Sequence, residues 1–581
     1  MRVLFLHPED SPWDAAWSRS QWDLIVDLGF ATPYAYAQWS RRSGARVLSI
    51  HQFAGQTEGY RWVNQLLEPG RGQLLDRMGL DWWEILAVWT YQNLHGLYLL
   101  GQLQPEIADS RIELVATRRH LFTTLLEQML GRPVRHLKVE SSGAMRTVAR
   151  MLRSARKLRP AQIREIAFDK WDTDYRVRRH LTKHKRANLA DPVVLLPSAY
   201  SNVTRSALAY AAQLPHRQFL LATTRRSAIP GRIPDNVTIA ALSAYAAPSS
   251  ATQEQTVELR RLWEDFRRTT LAEVDALRYA ANAGFFDYFP AHLEHGLRLR
   301  EAWKRLLDSE PVKGVLCGDD LNYHTRLPLI LAQNSGLNAL YCSHGALDGG
   351  FLFKVPFADS YLVKGEMESD YLQHACAGTI AQEKIRVGAP RNDAVTNRRD
   401  QRDGALVFFS QPYEVDGGRV EEIYRELLPR LWRAARKRGR KMIIKLHPFE
   451  SLQARKALVT SILSNDDHDH VEIVSGVPPE EVMSRTWCGV SVDSSVAVEC
   501  ALRKIPFFLC GWLDFMGWGY LQQFERFGVG RVLDTPESIE QIPEMVAGYR
   551  SVPSTERIWH EADPTQLDEI MFGTRQVLHA A

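Results

Sequence analysis

Short apolar runs recur along the chain, separated by polar turns and by longer stretches with helical spacing. Buried strands of parallel sheets have this character because both faces of such a sheet are covered. The runs predict strands at residues 3–6, 46–50, 112–116, 134–139, 193–196, 219–223, 315–317, 339–342, 360–364, 405–409, 442–446, 471–474, 489–492 and 505–509. Strands that alternate with helices are typical of βαβ units, so the pattern predicts an α/β fold with parallel sheets.

Apolar residues at helical spacing predict what lies between these strands. A polar turn and a helix-like stretch are expected between residues 6 and 46, and the tail from about Pro536 also has helical character. The other predicted helices span residues 82–103, 120–130 (closed by Gly131), most of 251–308, 325–334 and 496–503.

Two short polar motifs follow strands in the region 441–510. His447-Pro448 ends one apolar run, and Ser494-Ser495 lies between the strand 489–492 and the helix after it. Polar residues at the carboxyl ends of strands mark the usual ligand crevice of an open α/β sheet. Hydroxyls and free N–H groups at a helix start suit a phosphate, although each motif alone is more often a simple cap or turn.

Two further side chains fit the same predicted phosphate site. Lys445 lies two residues before His447, so strand alternation puts both on one side, where Lys445 adds positive charge. Glu499 lies four residues after Ser495 and shares its helix face, where it can accept hydrogen bonds from ribose hydroxyls.

A second pair of polar strand ends occurs within residues 314–345. The strand 315–317 leads into a turn that contains Asp319 and Asp320, and the strand 339–342 leads to His344-Gly345. Imidazole titrates near neutral pH, so His344 is the preferred general base, with Asp319 or Asp320 as the rival. The Asp-Asp pair could also hold a cation, but an acid, base or acceptor-binding role is favoured.

Length and composition narrow the class of protein. A chain of 581 residues requires two or three domains, and a formal charge of +4 does not predict a nucleic-acid binder. The six cysteines are scattered and are expected to be reduced core residues. We expect no signal peptide and no membrane span, and hence a cytoplasmic protein.

Residues 143–190 form a strongly basic segment that begins as an amphipathic helix. Either it is a solvated face or linker, or it contacts an anionic partner such as membrane phospholipid or a charged glycan. Nucleic acid is disfavoured because no aromatic platform accompanies the charge. The chain also has 16 tryptophans, many within its first hundred residues, which we expect to be mainly core residues, with sugar-binding platforms as the alternative.

The order of these motifs resembles the GT-B glycosyltransferase superfamily over residues 314–515, about a third of the chain. His447-Pro448, Ser494-Ser495 and Glu499 resemble the C-terminal domain of bacterial CMP-sugar transferases of capsule synthesis (Kdo, sialic and polysialic acid) and of CDP-glycerol glycerophosphotransferases. UDP-GlcNAc 2-epimerases are similar more distantly. The Asp-Asp turn and His344-Gly345 resemble the acceptor domain of the epimerases and glycerophosphotransferases.

Two more segments carry the resemblance. Gln411-Pro412 is similar to a Gln-Pro of the CMP-sugar transferases, and residues 387–393 resemble a Gly-x-Pro-Arg-Asn-Asp segment near the GT-B hinge. The resemblance therefore implies that Gln411 and Gly388 belong to the donor site. It implies two Rossmann-like doubly wound domains facing a central cleft, an enlarged N-terminal part, and a C-terminal helix that packs back on the first domain. The expected divisions are 1–190, 191–380 and 381–581.

The implied function is metal-independent transfer from a nucleotide-activated donor, CMP-sugar or CDP-polyol, onto a cell-surface or capsular glycan. No cofactor is expected, and the partners are the donor, a glycan or lipid-linked acceptor and a peripheral anionic membrane. Two alternatives remain open. One is a UDP-GlcNAc 2-epimerase-like enzyme, which Ala346-Leu347-Asp348 weakens because epimerases carry further acidic residues there. The other is a catalytically silent nucleotide-sugar-binding scaffold.

Overall fold

The computed structural model describes residues 1–10, 21–53, 58–137, 190–223, 229, 232–374, 380–391, 404–415, 417–476, 479–550 and 555–573. The chain forms two compact units. One unit contains Met1–Trp62, Leu94–Val139 and Val395–Ile558, and the other contains Val63–Asn93, Glu140–Ala394 and Trp559–Ala581. The predicted divisions at residues 190 and 380 stay a prediction.

A five-stranded parallel sheet lies in the first of these units. Its strands are β1 (Arg2–Leu6), β2 (Leu24–Asp27), β3 (Arg46–Ser49), β4 (Glu113–Ala116) and β5 (Arg135–His136), in the order β3-β2-β1-β4-β5. The associated helices are Pro33–Ser43, Glu58–Leu67, Tyr91–Ile107 and Leu121–Leu130. The last of them starts at the N-cap His120 and ends at Gly131, whose φ of 62° is the left-handed conformation that suits glycine.

The other unit is built around a seven-stranded parallel sheet. Its strands are β6 (Val193–Ser198), β7 (Gln218–Thr223), β8 (Val237–Ala241), β9 (Val312–Cys317), β10 (Asn338–Cys342), β11 (Ser360–Val363) and β12 (Ile385–Val387), in the order β12-β11-β10-β9-β6-β7-β8. Its helices are Trp82–Leu86, Ser201–Gln213, Ser249–Arg268, Thr270–Glu273, Asp275–Asn282, Phe289–Ser309, Tyr323–Asn334, Glu366–His374 and Pro564–Phe572.

A six-stranded parallel sheet completes the first unit. Its strands are β13 (Ala405–Phe409), β14 (Met442–Lys445), β15 (Val471–Val474), β16 (Thr486–Ser491), β17 (Phe507–Cys510) and β18 (Arg531–Leu533), in the order β15-β14-β13-β16-β17-β18. Its helices are Val420–Arg436, Leu452–Ile462, Asn465–His468, Pro479–Met483, Val496–Leu502, Tyr520–Arg526 and Ile542–Ala547.

All three sheets share one winding pattern. The chain starts at a central strand, adds two strands on one side and then crosses to add the others on the opposite side. This is the doubly wound order of Rossmann-like folds, and the crossing creates a switch point between the first and fourth strands of each sheet. The predicted α/β class is therefore confirmed, and the five-stranded sheet accounts for the enlarged N-terminal part.

The C-terminal helix Pro564–Phe572 belongs to the unit of the seven-stranded sheet. Asn338, in β10, donates through its side-chain amide to the carbonyl of Gly573 at 3.0 Å. Arg217, just before β7, forms a two-bond ion pair with Asp568. The last helix therefore packs on the sheet that precedes the six-stranded sheet in the chain, as the GT-B resemblance implied.

Four strands of the structure, β2, β8, β12 and β18, were not predicted. The stretch predicted as helix-like before residue 46 contains β2 as well as the helix Pro33–Ser43, because a four-residue apolar run has no distinguishing period. The strand β18 was not predicted, since its three residues carry too little apolar sequence to stand out.

Candidate functional site

The switch point of the six-stranded sheet lies between β13 and β16. Gln411 follows β13 and donates from its side-chain amide to the carboxylate of Asp493, which follows β16. Ser491 donates its hydroxyl proton to Gln411 Oε1 at 3.2 Å. These bonds fix a polar floor where open α/β sheets bind their ligands.

Two carboxyl groups near this floor have perturbed pKa values. Burial raises the pKa of Asp493, and the hydrogen bond from Gln411 opposes the rise. Burial also raises the pKa of Asp514, in the loop after β17, to about 6, and the negative charge of Asp493 adds to the effect. Mild acid therefore removes negative charge from this edge of the sheet.

His447 begins the turn after β14 and is half-buried. Its Nδ1 accepts a hydrogen bond from the backbone N–H of Phe449 at 3.2 Å. A neutral imidazole that accepts at Nδ1 carries its proton on Nε2. Burial lowers the pKa of His447, Glu450 opposes this and Lys445 adds to it, so the ring is neutral at pH 7. His447 thus presents an Nε2–H donor.

The side chain of Glu450 fixes the turn that begins at His447 through hydrogen bonds. Its Oε2 accepts the backbone N–H of His447 at 2.7 Å. Its Oε1 accepts the hydroxyl of Ser410 at 2.8 Å and the guanidinium Nε of Arg455 at 2.7 Å. The carboxylate is buried, so this network fixes the turn against the end of β13.

Lys445 ends β14 and is buried. Its ammonium donates to the carbonyl of Leu446 at 2.9 Å, inside the turn that His447 begins. Its positive charge contributes to the lowered pKa of His447. Pro448 follows and is exposed. Lys445 therefore supplies charge from within the turn.

The Ser494-Ser495 turn opens the helix Val496–Leu502. Ser494 Oγ accepts the backbone N–H of Val496 at 3.4 Å. Ser495 occupies the N-cap position and is exposed, and within the described chain its hydroxyl accepts no capping bond from this helix. Glu499 forms an ion pair with Arg503 at 2.6 Å and keeps 39% of its side chain exposed. The helix has seven residues, so any anion binding here depends on the side chains.

His344 stands at the edge of the seven-stranded sheet, after β10. Its Nδ1 lies 3.0 Å from the backbone carbonyl of Gly318, which follows β9. A carbonyl can only accept, so Nδ1 donates, and the neutral ring has its lone pair on Nε2. The side chain is exposed. His344 is therefore set to take up a proton at Nε2.

Asp319 and Asp320 have different surroundings although they are adjacent. Burial raises the pKa of Asp319, the charge of His344 opposes the rise, and Asp320 adds to it. Asp320 is 1% exposed and forms a buried ion pair with Lys354, whose ammonium also bonds Asp348 at 2.7 Å. Asp320 thus belongs to a closed charged cluster, whereas Asp319 Oδ1 accepts the backbone N–H of Leu321 at 3.1 Å.

Lys354 balances the negative charges of the closed cluster. Burial by itself would lower the pKa of Lys354, but Asp320 and Asp348 outweigh it and raise the pKa. The same ammonium holds the pKa of Asp348 below its usual value despite burial. One lysine charge therefore already occupies the position between these carboxylates. In the part of the chain that the structure describes, no group of three or more His, Cys, Asp or Glu side chains is arranged to hold a metal ion.

Gly388 belongs to the unit of the seven-stranded sheet, whereas the other predicted donor residues belong to the unit of the six-stranded sheet. It follows β12 with φ of 131°, and a Cβ there would lie 3.3 Å from the Cα of Ala562. The next residue, Ala389, donates its N–H to the carbonyl of His560 at 3.0 Å. Glycine is needed here for close packing against the C-terminal segment. A donor-binding role for Gly388 stays a prediction.

Several residues of these networks were not among the predicted site residues. Glu450 follows His447 by three residues and Asp493 directly precedes Ser494. Their closeness to the two motifs in the sequence could therefore have identified both residues. Lys354 lies beyond the His344-Gly345 motif and had no sequence signal, and Asp348 was considered only as a departure from the epimerase pattern. Their role depends on burial against β9 and β10, which only the fold supplies.

The remaining predictions concern the basic segment, the hinge-like segment, the cysteines and membrane spans. The basic segment lies outside the described residues up to residue 189, as do Asn392 and Asp393 of the hinge-like segment. Five cysteines are described, and all are buried and free. Among the helices that the structure describes, none is long and apolar enough to cross a membrane.

No family model matches the chain, and no curated protein sequence matches it. Three solved structures illustrate what the chain is similar to. One is a protein assigned as a UDP-N-acetylglucosamine 2-epimerase from Listeria monocytogenes, at 11% identity, over 66% of this chain and 92% of that chain, with a TM-score of 0.41.

The second structure is MurG of Acinetobacter baumannii, at 12% identity, over 65% of this chain and 99% of that chain, with a TM-score of 0.39. The third is the wall teichoic acid polymerase TagF, at 11% identity, over 71% of this chain and 92% of that chain, with a TM-score of 0.34.

Proposed function

We propose that this protein is a metal-independent GT-B glycosyltransferase that uses a nucleotide-activated donor. The observation that carries the proposal is a pair of histidines at strand ends with opposite tautomers. His447 offers an N–H donor, which suits a phosphate oxygen, and His344 offers a lone pair, which suits the proton of a hydroxyl. Transfer from a nucleotide donor to an alcohol requires both groups.

The six-stranded sheet is the proposed donor side. Its switch point holds Gln411 and Asp493 as a fixed polar floor, with His447 and Ser495 as available hydrogen-bond donors at neighbouring strand ends. Lys445 contributes positive charge close to His447. These groups can stabilise the charge of a departing nucleotide phosphate, and Glu499 can accept from ribose hydroxyls while it stays paired with Arg503.

The seven-stranded sheet is the proposed acceptor side. The acceptor hydroxyl gives its proton to His344 Nε2, and its oxygen forms a bond with the anomeric carbon of the donor sugar. The bond between that carbon and the phosphate oxygen breaks, and the nucleotide leaves with the electron pair. Asp319 is close enough to stabilise the imidazolium that forms, and Asp320 with Lys354 keeps the turn in position.

The proposed donor and product follow from the motifs. Gln411-Pro412, His447-Pro448 and Ser494-Ser495 favour a CMP-sugar, with a CDP-polyol as the second choice, and a cell-surface or capsular glycan as the product. The doubly wound order of the six- and seven-stranded sheets and the return of the last helix to the seven-stranded sheet support the GT-B architecture. In the same proposal the protein works in the cytoplasm, and the basic segment 143–190 provides contact with anionic membrane.

The test follows donor turnover by NMR, using CMP-Kdo, CMP-N-acetylneuraminic acid and CDP-glycerol in separate reactions. We expect wild type to consume one of them, and His344→Ala to slow this by about 10²–10⁴-fold with little change in donor affinity. His374→Ala is the control, because His374 is an exposed histidine of the same unit. Equal turnover rates for wild type and His344→Ala would contradict the role of His344, and no turnover of any of the three donors would favour the catalytically silent scaffold.

A further inference from the structure

Trp89 differs from most of the other described tryptophans in the first hundred residues. Trp22, Trp39, Trp82 and Trp83 are buried, as expected for core residues. Trp89 is 40% exposed although its neighbours in the chain, Val88 and Thr90, are buried. Tryptophan combines a large apolar surface with a polar N–H group and is enriched at binding interfaces, so Trp89 is a candidate contact residue.

The exposed indole is held in a fixed orientation. Its Nε1–H donates to the backbone carbonyl of Leu321 at 3.0 Å. The ring packs edge-on against His292 at 4.9 Å between centroids and tilted against Tyr323 at 5.0 Å. Because several contacts fix the ring, little side-chain entropy is left to lose when a ligand stacks on it.

The indole lies beside the proposed acid-base group. Leu321, whose carbonyl bonds the indole, also donates its backbone N–H to Asp319 Oδ1 at 3.1 Å. The two side chains are therefore bonded to one residue, which limits the distance between Trp89 Nε1 and the Asp319 carboxylate to about 10 Å. The two groups are therefore close enough for one sugar to stack on the indole and contact this carboxylate.

A second exposed ring is bonded to the same turn. Tyr200, at the end of β6, is 39% exposed. The side-chain amide of Asn322 lies 3.5 Å from the Tyr200 hydroxyl, and Asn322 also caps the helix Tyr323–Asn334. Two exposed aromatic side chains, Trp89 and Tyr200, are thus hydrogen-bonded to the turn of residues 318–322.

We propose that Trp89, assisted by Tyr200, is a binding platform for an uncharged sugar ring of the acceptor. The proposal rests on the proposed function, because it assigns the acceptor class to the same site. The C–H face of a pyranose stacks on the indole, and its hydroxyls point towards Asp319 and His344. Trp89 is a positioning residue in this arrangement and takes no part in proton transfer.

The charges around the turn favour a neutral sugar over a nucleotide or an acidic sugar. Among the described residues, two cations that bond to this region are buried and paired. Lys354 is shared by Asp320 and Asp348, and Arg326 bonds Glu84 at 3.2 Å and the carbonyl of Asp320 at 3.0 Å. Neither is available for a phosphate or carboxylate of a ligand, and Asp319 would repel one.

The test measures binding of neutral maltotetraose, cellotetraose and chitotetraose, with CMP and N-acetylneuraminic acid as charged probes, by ligand-observed NMR titration. We expect wild type to bind at least one neutral probe, Trp89→Phe to keep most of the affinity, and Trp89→Leu to lose about five- to tenfold. Trp62→Leu is the control, since Trp62 is a partly exposed tryptophan in the other unit.

Oxidation of exposed tryptophans in the wild-type protein tests the platform even if Trp89→Leu does not fold. N-bromosuccinimide oxidises exposed indoles, and peptide mass spectrometry locates the oxidised residue. Bound saccharide should protect Trp89 at least threefold and leave Trp62 unprotected. The platform is disproved if wild type binds no neutral probe, if Trp89→Leu binds as wild type does, or if only a charged probe protects Trp89.

The outcomes separate this inference from the proposed function. One combination of results would contradict the platform alone: His344→Ala abolishes donor turnover, and neutral saccharide binding does not depend on Trp89. Saccharide binding that depends on Trp89, in a protein that consumes no nucleotide donor, would support the platform and overturn the transferase.

Discussion

Two histidines at strand ends hold opposite tautomers because the backbone around them differs. A backbone N–H donates to Nδ1 of His447, whereas a backbone carbonyl accepts from Nδ1 of His344. The sequence predicted both residues from their positions after apolar strands. It could not predict the tautomers, because the partner of His344 is Gly318, on a different strand end.

The tautomer of His447 can be tested with two isosteres. The amide nitrogen of glutamine can replace Nε2–H as a donor, whereas asparagine is too short to do so. We expect His447→Gln to keep nucleotide affinity within about threefold of wild type, and His447→Asn to lose about tenfold or more, which corresponds to one lost charge-assisted hydrogen bond. Isothermal titration with CMP provides the comparison. Equal losses in both variants would mean that the Nε2–H is not used.

Asp319 is expected to be held at a cost to stability. Its pKa is raised in the folded protein, chiefly by burial. Above the folded-state pKa, the ionised carboxylate therefore lowers the free energy of unfolding. This destabilisation disappears as the pH falls towards the pKa of the unfolded state. Asparagine pays no such penalty. Asp319→Asn should melt higher than wild type at about pH 8, and the difference should shrink towards about pH 4.

The same variant should be nearly inactive in donor turnover, slower by about 10²-fold or more. Thermal melting across this pH range and NMR turnover at one pH give the two readouts. A variant that melts lower than wild type at high pH would show that hydrogen bonds of Asp319 outweigh its burial.

Short turns after β strands hold the candidate residues in each of the two units. The sequence predicted β13, β14 and β16 to within a few residues, because buried parallel strands are continuous apolar runs. It did not predict what fixes the turns that follow. The His447 turn depends on Glu450, and the Asp319 turn depends on Lys354, and both are buried charges whose partners come from other elements.

Glu450→Gln tests whether the turn after β14 is held by its buried carboxylate. Glutamine keeps the size but loses the charge that Arg455 and the backbone of His447 bond. We expect a loss of about 1–3 kcal/mol in stability and weaker CMP binding, measured by thermal melting and titration. The control is Glu414→Gln, which removes the half-exposed partner of the same Arg455 and should cost less than about 1 kcal/mol. Similar costs in both variants would contradict this role for Glu450.

At the scale of the whole molecule, the five- and six-stranded sheets of one unit are joined by a buried arginine. Arg419 bonds both carboxylate oxygens of Asp27, at the end of β2. The same guanidinium also bonds the carbonyls of His7, Pro8 and Asp10. It therefore fills the carboxyl edge of the five-stranded sheet. The sequence could not predict this, since Asp27 and Arg419 are far apart in the chain.

Arg419→Met should destabilise this unit by about 3–5 kcal/mol, because it leaves a buried carboxylate and three carbonyls without their partner. Arg425→Met is the matched control, since Arg425 forms an exposed pair with Glu421 and should cost less than about 1 kcal/mol. Thermal melting of the full chain gives the comparison. A cost for Arg419→Met no larger than that of the control would contradict the joining role.

We expect the nucleotide donor to bind at the six-stranded sheet through His447. A thermal-shift panel of CMP, CDP, UMP, UDP, GDP and ADP on wild type, His447→Ala and His374→Ala tests it most directly, because a ligand of the native state raises Tm by mass action. We predict a shift with CMP or CDP that survives in His374→Ala and disappears in His447→Ala. A shift with UDP alone would point instead to an epimerase or a UDP-sugar enzyme, and no shift with any nucleotide would contradict the claim.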